Sequence, residues 1–192
     1  MAITGYTDTF PNELLSNPAI VTVGAYGAAT VWGVTRNGTQ WDPQVEVAEV
    51  EFDGKLAEVK GMARRSKTAP KLAFTVLQLG TAAEIQRIEP GATTATSTVA
   101  GITSVITPRD SGQLFGDSDY LEDVRAIFEL GEAGKYISIH IFTARVKPAP
   151  INGGATGEAE ISVELTGVVD MATRSMSDPL HEFELLSALP TA

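Results

Sequence analysis

Residues 136–142 read YISIHIF and residues 158–165 read EAEISVEL, and both segments alternate between apolar and polar side chains. The isoleucines of the first segment share one face, opposite Ser138 and His140. A period of two predicts β-strands, and a sheet with one apolar and one wet face is typical of antiparallel pairing. A third apolar segment, VRAIFEL at 124–130, precedes them. These three segments predict an antiparallel sheet that buries one face.

Turn and bulge signals lie nearer the amino terminus. Asn37-Gly38 predicts a type I′ hairpin, because that turn needs positive φ at both central residues, and it would place Val34 opposite Trp41. The segment VEVAEVEF at 45–52 alternates, but its phase slips midway. The slip predicts either a β-bulge near Ala48-Glu49 or a strand that moves between two packing surfaces.

A strand and a short helix are predicted next along the chain. Residues 71–79, KLAFTVLQL, place Leu, Phe and Val side chains on one face and further leucines on the reverse. Thr81 followed by Glu84 forms a capping-box pattern, and Pro90-Gly91 is a stop signal. We therefore expect a helix over about 81–89.

The whole pattern predicts a mainly β chain. About eight or more short strands and one short helix indicate an antiparallel β-sandwich or barrel, with the helix on its flank and a long projecting loop. The length of 192 residues fits a single domain over 1–192. Within it we expect an N-terminal arm at 1–18 and the projecting loop at 53–70, after a turn at Asp53-Gly54. The Thr-rich stretch 93–108 reads as loop and then strand.

Composition excludes some functions. The net charge of −10 argues against DNA binding by phosphate neutralisation, which needs clustered Lys and Arg. The absence of cysteine excludes disulfides and thiolate metal sites. Residues 1–18 lack the basic start and apolar centre of a signal peptide, and no run of about 18 apolar residues suggests a membrane span.

No motif for catalysis or cofactor binding is present. The chain has no phosphate loop, dinucleotide fingerprint, zinc-protease motif or nucleophile elbow. His140 and His181 are the two histidines, and a solvated or interface role is favoured for both over a catalytic one. The acidic cluster at 117–123 lacks the spacing of a calcium loop. We therefore expect no enzyme activity and no catalytic, metal-binding or cofactor-binding residues.

Charge is distributed unevenly along the chain. Residues 55–71 hold six of the fourteen basic residues, opposed by Glu58 alone, whereas 110–132 and 158–184 each carry seven acids against one Arg. Each patch can be an ordinary solvated surface. Alternatively, opposite patches on one chain allow head-to-tail contact between identical copies, which generates rings or filaments.

The order of these segments resembles phage major tail tube proteins. EFDGKLAEVKGMARRSKTAPKLAFTVLQLG at 51–80 is similar to the family's D-G turn, charged loop and core strand. NPAIVTVGAYGAATVWGV at 17–34 is similar to its glycine-punctuated first strands. DYLEDVRAIFEL and YISIHIFTARVKP resemble its later hairpin, and GEAEISVELTGVVD with DPLHEFEL its closing strands. The match covers most of the chain in the right order, and is weakest at the Thr-rich stretch.

The resemblance implies a homo-hexameric ring that stacks into a hollow tube in the virion tail, assembled in the host cytoplasm. It implies tape-measure, tail-terminator and tail-tip proteins as partners, and DNA as passing cargo that is not specifically bound. The basic segment would contact another copy, and an acidic lumen would let DNA slide. The loop candidates are Asp53, Gly54, Lys55, Lys60, Arg64, Arg65 and Lys67. The lumen candidates are Glu158, Glu160 and Glu164.

Other functions fit the same pattern. A type VI secretion or extracellular injection tube would share the architecture. A monomeric β-sandwich binding module, for example for carbohydrate, would offer an exposed aromatic platform, whereas Trp32 and Trp41 are expected to be packed. A hydrolase on a β-scaffold lacks any supporting motif.

Overall fold

Strand pairing in the computed structural model is antiparallel throughout the part of the chain that the structure describes. The described residues are 19–32, 35–49, 63–77, 81–108, 114–131, 134–147, 151–152 and 160–190. Their strands are β1 (Ile20–Val23), β2 (Thr30–Val31), β3 (Thr35–Asp42), β4 (Val45–Glu49), β5 (Ala63–Thr68), β6 (Lys71–Val76), β7 (Thr93–Thr96), β8 (Ser104–Thr107), β9 (Tyr120–Glu129), β10 (Tyr136–Lys147), β11 (Ile151–Asn152), β12 (Glu160–Gly167) and β13 (His181–Leu186). One α-helix, α1 (Ala82–Ile88), and two 3₁₀ turns, Tyr26–Ala28 and Asp117–Asp119, accompany them.

The main sheet has nine strands in the order β2-β1-β9-β10-β12-β6-β3, with β11 beside β12 and β13 beside β10. Strand β10 organises it, because its 12 residues pair with β9 over most of their length and change neighbours on the other edge. Its first half pairs with β13, and its second half, Ala144 to Lys147, pairs with β12. The sheet therefore divides at the middle of β10.

The two parts of the divided sheet face each other. Trp41 on β3 meets His181 on β13 edge to face, with ring centroids 4.8 Å apart, although several strands separate them along the sheet. The sheet does not close into a barrel, and the arrangement is consistent with a sandwich. The expected fold class, mainly β and antiparallel with one helix, is confirmed.

The core lies between these two parts and is built mainly from aliphatic side chains. Trp32 is its largest member and packs edge to face on Phe74, with centroids 5.2 Å apart. The expected inward face of 71–79 is confirmed at β6, and so is the inward face of β12. The other buried apolar residues of the core cluster are Ala19, Val21, Leu72, Val76, Ile88, Val124, Ala126, Phe128, Ile139, Ile141, Ala144, Val146, Ile161, Val163 and Leu165.

The helix agrees with the prediction. Thr81 accepts a hydrogen bond from the backbone N–H of Glu84, and the Glu84 carboxylate accepts one from the backbone N–H of Thr81, which completes the capping box. Gly91 follows with φ of +80°, a conformation that glycine adopts without strain. Ile88 anchors the helix in the core.

Two predictions about the amino-terminal half were wrong. Asn37-Gly38 does not make a hairpin, because β3 continues through it and pairs with β6 on both sides. The register shifts there between Arg36 and Thr39, and Gly38 has φ of +77°, so the dipeptide forms an irregularity within one strand. The expected partner Val34 lies outside the described residues.

The bulge predicted near Ala48-Glu49 lies at a different position, and residues 50–52, on which the alternative of a strand that changes packing surface depends, lie outside the described residues. The register between β4 and β5 shifts between Glu46 and Val47, not near Ala48-Glu49, and Ser66 is the extra residue, on β5. The Ser66 hydroxyl donates to the backbone oxygen of Glu46 at 3.2 Å.

The Thr-rich stretch, expected as loop and then strand, forms the two-stranded hairpin of β7 and β8. In the described ranges, no helix is long and apolar enough to cross a membrane.

A close backbone contact at Gly167 makes a testable prediction about the core. A β-carbon at this position would lie 2.6 Å from Cγ of the buried Pro70 and 3.2 Å from Cγ2 of Ile141. We expect Gly167→Ala to lower the free energy of unfolding by about 1–3 kcal/mol, because a packed core accommodates extra volume poorly. Urea denaturation measures the change.

The control is Gly27→Ala, since a β-carbon at Gly27 meets nothing within 4 Å. The double variant Gly167→Ala with Pro70→Ala should recover part of the loss, because it removes the atoms that clash. Equal stability of the two single alanine variants would show that the contact with Pro70 does not constrain this position.

Candidate functional site

Strands β4 and β5 form a two-stranded ribbon outside the main sheet. Most of its residues are exposed, including Val47 at 58%. The segment 53–70 was expected to be a loop, but Ala63–Thr68, most of its described part, is a strand. An isolated two-stranded ribbon is marginally stable in water, so this one gains from packing against another surface.

The ribbon is basic on its β5 strand. Arg64, Arg65 and Lys67 are all exposed there. Lys67 Nζ lies 3.7 Å from Glu46 Oε1 across the ribbon, and since both side chains are largely exposed the pair is weak. The other loop candidates, Asp53, Gly54, Lys55 and Lys60, lie outside the described residues.

A cleft of about 580 Å³ lies between β5 and the segment that leads into β13. Arg65, Lys67 and Asp178 contribute charged side chains to it, and His181 also lines it. Burial lowers the pKa of His181, and the nearby Arg65 charge lowers it further. His181 therefore behaves mainly as an uncharged aromatic side chain packed on Trp41.

Strand β13 is an open edge of the main sheet. Among the described strands it pairs only with β10, and Phe183 and Leu185 are 60% and 82% exposed. Both lie opposite isoleucines of the core face in the register, so the apolar face of the sheet continues beyond the covered core. Exposed apolar edge strands favour pairing with another chain.

The aromatic residues at this edge do not form a flat platform. Phe183 meets Trp41 at an interplanar angle of 82° and His181 at 88°. Trp41 is half-buried, and Trp32 is fully inside the core, as expected for both tryptophans. Rings set edge to face present edges rather than one stacking surface.

The acidic candidates on β12 lie on the face opposite the core, as the alternation predicted. Glu160 and Glu164 are half-buried, and Glu158 lies outside the described residues. Glu164 is 3.5 Å from Lys71 Nζ and 3.9 Å from Lys147 Nζ. Two lysines therefore offset the charge of Glu164.

The polar face of β10 was predicted to be solvent-exposed, but in the first half of the strand it is buried. Ser138 is fully buried and His140 is 4% exposed. Segments distant in sequence come together over this face: the Tyr26 hydroxyl donates to the backbone oxygen of Ala188 at 2.7 Å, and the Tyr26 ring lies 5.8 Å from the Arg125 guanidinium carbon. The alternation of polar and apolar residues could not predict this cover, because the covering segments are distant in sequence and meet only in the tertiary structure.

Charged groups from three strands meet under that cover. Arg125 on β9 is 6% exposed, and its Nε donates to Glu184 Oε2 at 3.1 Å while one Nη donates to the backbone oxygen of Gly24. His140 Nε2 lies 2.8 Å from Asp123 Oδ1. His140 Nδ1 lies 3.1 Å from Glu182 Oε1 and 3.3 Å from Glu184 Oε1. We call Asp123, Arg125, His140, Glu182 and Glu184 the buried charge cluster.

The backbone is locally unusual at one member of the buried charge cluster. Asp123 has φ of +53° within β9, a left-handed conformation that Asp tolerates better than most residues. Its carboxylate bonds the His140 ring in this conformation. The alternating acids of residues 182–184 are visible in the sequence. That they lie next to His140 follows only from the pairing of β13 with β10.

Comparison of the chain with family models and with curated proteins finds no match.

Proposed function

We propose that this chain is a non-enzymatic structural subunit of a phage tail tube. Six copies form a ring, rings stack into a hollow tube, and DNA passes through it without specific binding. The observation that carries the proposal is the exposed basic ribbon of β4 and β5 on a chain whose net charge is −10. The ordered resemblance of the sequence segments to tail tube proteins supports it.

The ribbon supports contact between copies in two ways. It has little cover from its own subunit, so a neighbouring copy would supply the packing that a two-stranded ribbon lacks. Its arginines and lysine also complement the acid-rich remainder of the chain, which favours a head-to-tail contact between identical subunits.

The open edge at β13 supports a second contact. An edge strand with apolar side chains can pair with a strand of the next subunit, and closure of a ring would then cover every such edge. The ribbon and the edge are formed by separate strands, and a ring that also stacks needs two such contacts.

An acidic lumen belongs to the same proposal, since like charge keeps DNA from adhering to the wall. Of the two described candidates, Glu164 contributes less to such a field than its formal charge suggests, because Lys71 and Lys147 lie next to it. The aromatic edge-to-face packing gives less support to a carbohydrate-binding module, which needs a flat exposed ring.

Electron microscopy of the purified protein over a range of concentrations tests the proposal. We expect rings with six-fold symmetry or hollow tubes, with sedimentation velocity showing the same species in solution. A strict monomer at high concentration that binds sugars would refute the tube function in favour of a binding module. Tubes that form would leave phage and secretion systems to be separated by whether the tube encloses DNA in its native particle.

A further inference from the structure

We propose that His140, Glu182 and Glu184 bind a divalent transition-metal ion of the Zn²⁺ type, which fixes β13 onto β10. The three potential ligand atoms lie within 4.8 Å of one another. His140 Nδ1 is 3.1 Å from Glu182 Oε1 and 3.3 Å from Glu184 Oε1. Ligands at about 2.0–2.2 Å from a tetrahedral zinc ion lie about 3.3–3.6 Å apart, so small movements would place these atoms around one ion.

The contact with Asp123 prepares His140 as a ligand. A carboxylate only accepts hydrogen bonds, so His140 Nε2, 2.8 Å from Asp123 Oδ1, carries the proton. Nδ1, 3.1 Å from Glu182 Oε1, faces a second carboxylate, and a metal ion bound there would take the place of any proton on Nδ1. A histidine that donates one N–H to a carboxylate and offers its other nitrogen is the usual arrangement at zinc sites.

The charge balance favours a doubly charged cation. Asp123, Glu182 and Glu184 carry three negative charges and Arg125 one positive charge, which leaves an excess of two negative charges when the imidazole is neutral. A divalent ion would neutralise this excess beside the buried side chains of Arg125 and His140, where unpaired charge is costly.

Arg125 determines where the ion can enter. Its guanidinium bonds Glu184 through Nε at 3.1 Å and Nη2 at 3.4 Å, and Nη2 is also 3.4 Å from His140 Nδ1. It therefore orients Glu184 and closes the inner side of the cluster. The Glu182 side chain is 51% exposed, so the ion would approach from that side and complete its coordination with water.

An unsatisfied hydroxyl beside the buried charge cluster is an independent sign of a ligand. Ser138 Oγ is buried and has no hydrogen-bond partner among the described residues. Ser138 lies two residues before His140 on the same face of β10 and opposite Glu184 in the register. A buried hydroxyl without a partner costs free energy, and a water bound to the metal would satisfy it.

The test is titration of the metal-free protein with ZnCl₂ by calorimetry, with CoCl₂ as a spectroscopic probe and MgCl₂ as the control cation. We expect one Zn²⁺ per chain, an increase in Tm with Zn²⁺ but not with Mg²⁺, and intensified visible bands with Co²⁺. Asp123→Asn should weaken Zn²⁺ binding about 10- to 100-fold, and His140→Gln should weaken it more.

The matched control is His181→Gln, which removes the other histidine from the same sheet and should leave Zn²⁺ affinity unchanged. Glu182→Gln is a second ligand variant on a half-exposed residue, in case His140→Gln fails to fold. Failure of the native protein to bind Zn²⁺, or undiminished binding by folded Glu182→Gln and His140→Gln proteins, would overturn the proposal. Both readouts use unassembled protein, so the result is separate from that for the tube.

Discussion

Replacement of Trp32 by alanine is expected to lower the free energy of unfolding by about 3–5 kcal/mol, the usual range for deletion of a buried large aromatic side chain. Trp32 is 2% exposed and packs edge to face on Phe74. The chain has only 7% aromatic residues, so few other side chains can fill the space that Trp32 leaves. Its backbone N–H also donates to Val21 at 2.8 Å, which ties the end of β2 to β1.

Chemical denaturation followed by far-UV circular dichroism measures this loss. Trp41→Ala is the matched control, because Trp41 is half-buried and packs at the open edge. We expect its cost to be clearly smaller. Equal losses of stability in the two tryptophan variants would show that Trp32 contributes no more to the core than Trp41 does.

Charge reversal on the ribbon is expected to abolish assembly without unfolding the subunit. The variant is Arg64→Glu with Arg65→Glu and Lys67→Glu, which removes the exposed cations of β5. Attraction to acidic surface on a neighbouring copy becomes repulsion, and like-charge contacts across an interface cost several kcal/mol. The proportion of protein in rings or tubes, measured by sedimentation and electron microscopy, should fall to near zero.

The subunit should remain folded because these side chains are exposed and contribute little to the core. A control with the same change in net charge reverses Lys135, just before β10, and Arg145 and Lys147 in the second half of β10; all three are exposed and lie outside the ribbon. Assembly of the ribbon variant at the native protein concentration would show that the ribbon does not join subunits. Equal loss in both variants would attribute the effect to net charge.

Local patterns predicted those features that depend on neighbouring residues. The Thr81–Glu84 capping box and the inward face of β6 need only a few adjacent residues, and both are present as expected. The hairpin predicted at Asn37-Gly38 was wrong because a glycine with positive φ occurs in bulges as well as in turns. The pairing of β3 with β6 shows that a bulge forms here. The choice depended on residues more than thirty positions away.

The candidate site was harder to predict than the fold. His140 was assigned to a wet face because alternation gives the side of a strand but not what covers that side. Its surroundings come from β9, β13 and the turn at Tyr26, which meet only after the sheet forms. The charge of the ribbon and its β4 strand were predicted, but β5 was expected to be loop, since ARRSKT has little apolar content.

The pairing of β1 with β9 also limits when the subunit can fold during synthesis. Ile20 pairs with Ile127, so β1 waits for a partner that the ribosome makes about a hundred residues later. At about 5–20 residues per second this delay is on the order of 5–20 s. Strand β13 follows all the other described strands and is the proposed ring edge, so a nascent chain becomes able to join a ring only near the end of the described sequence. Unfinished subunits would thereby be kept out of a growing tube.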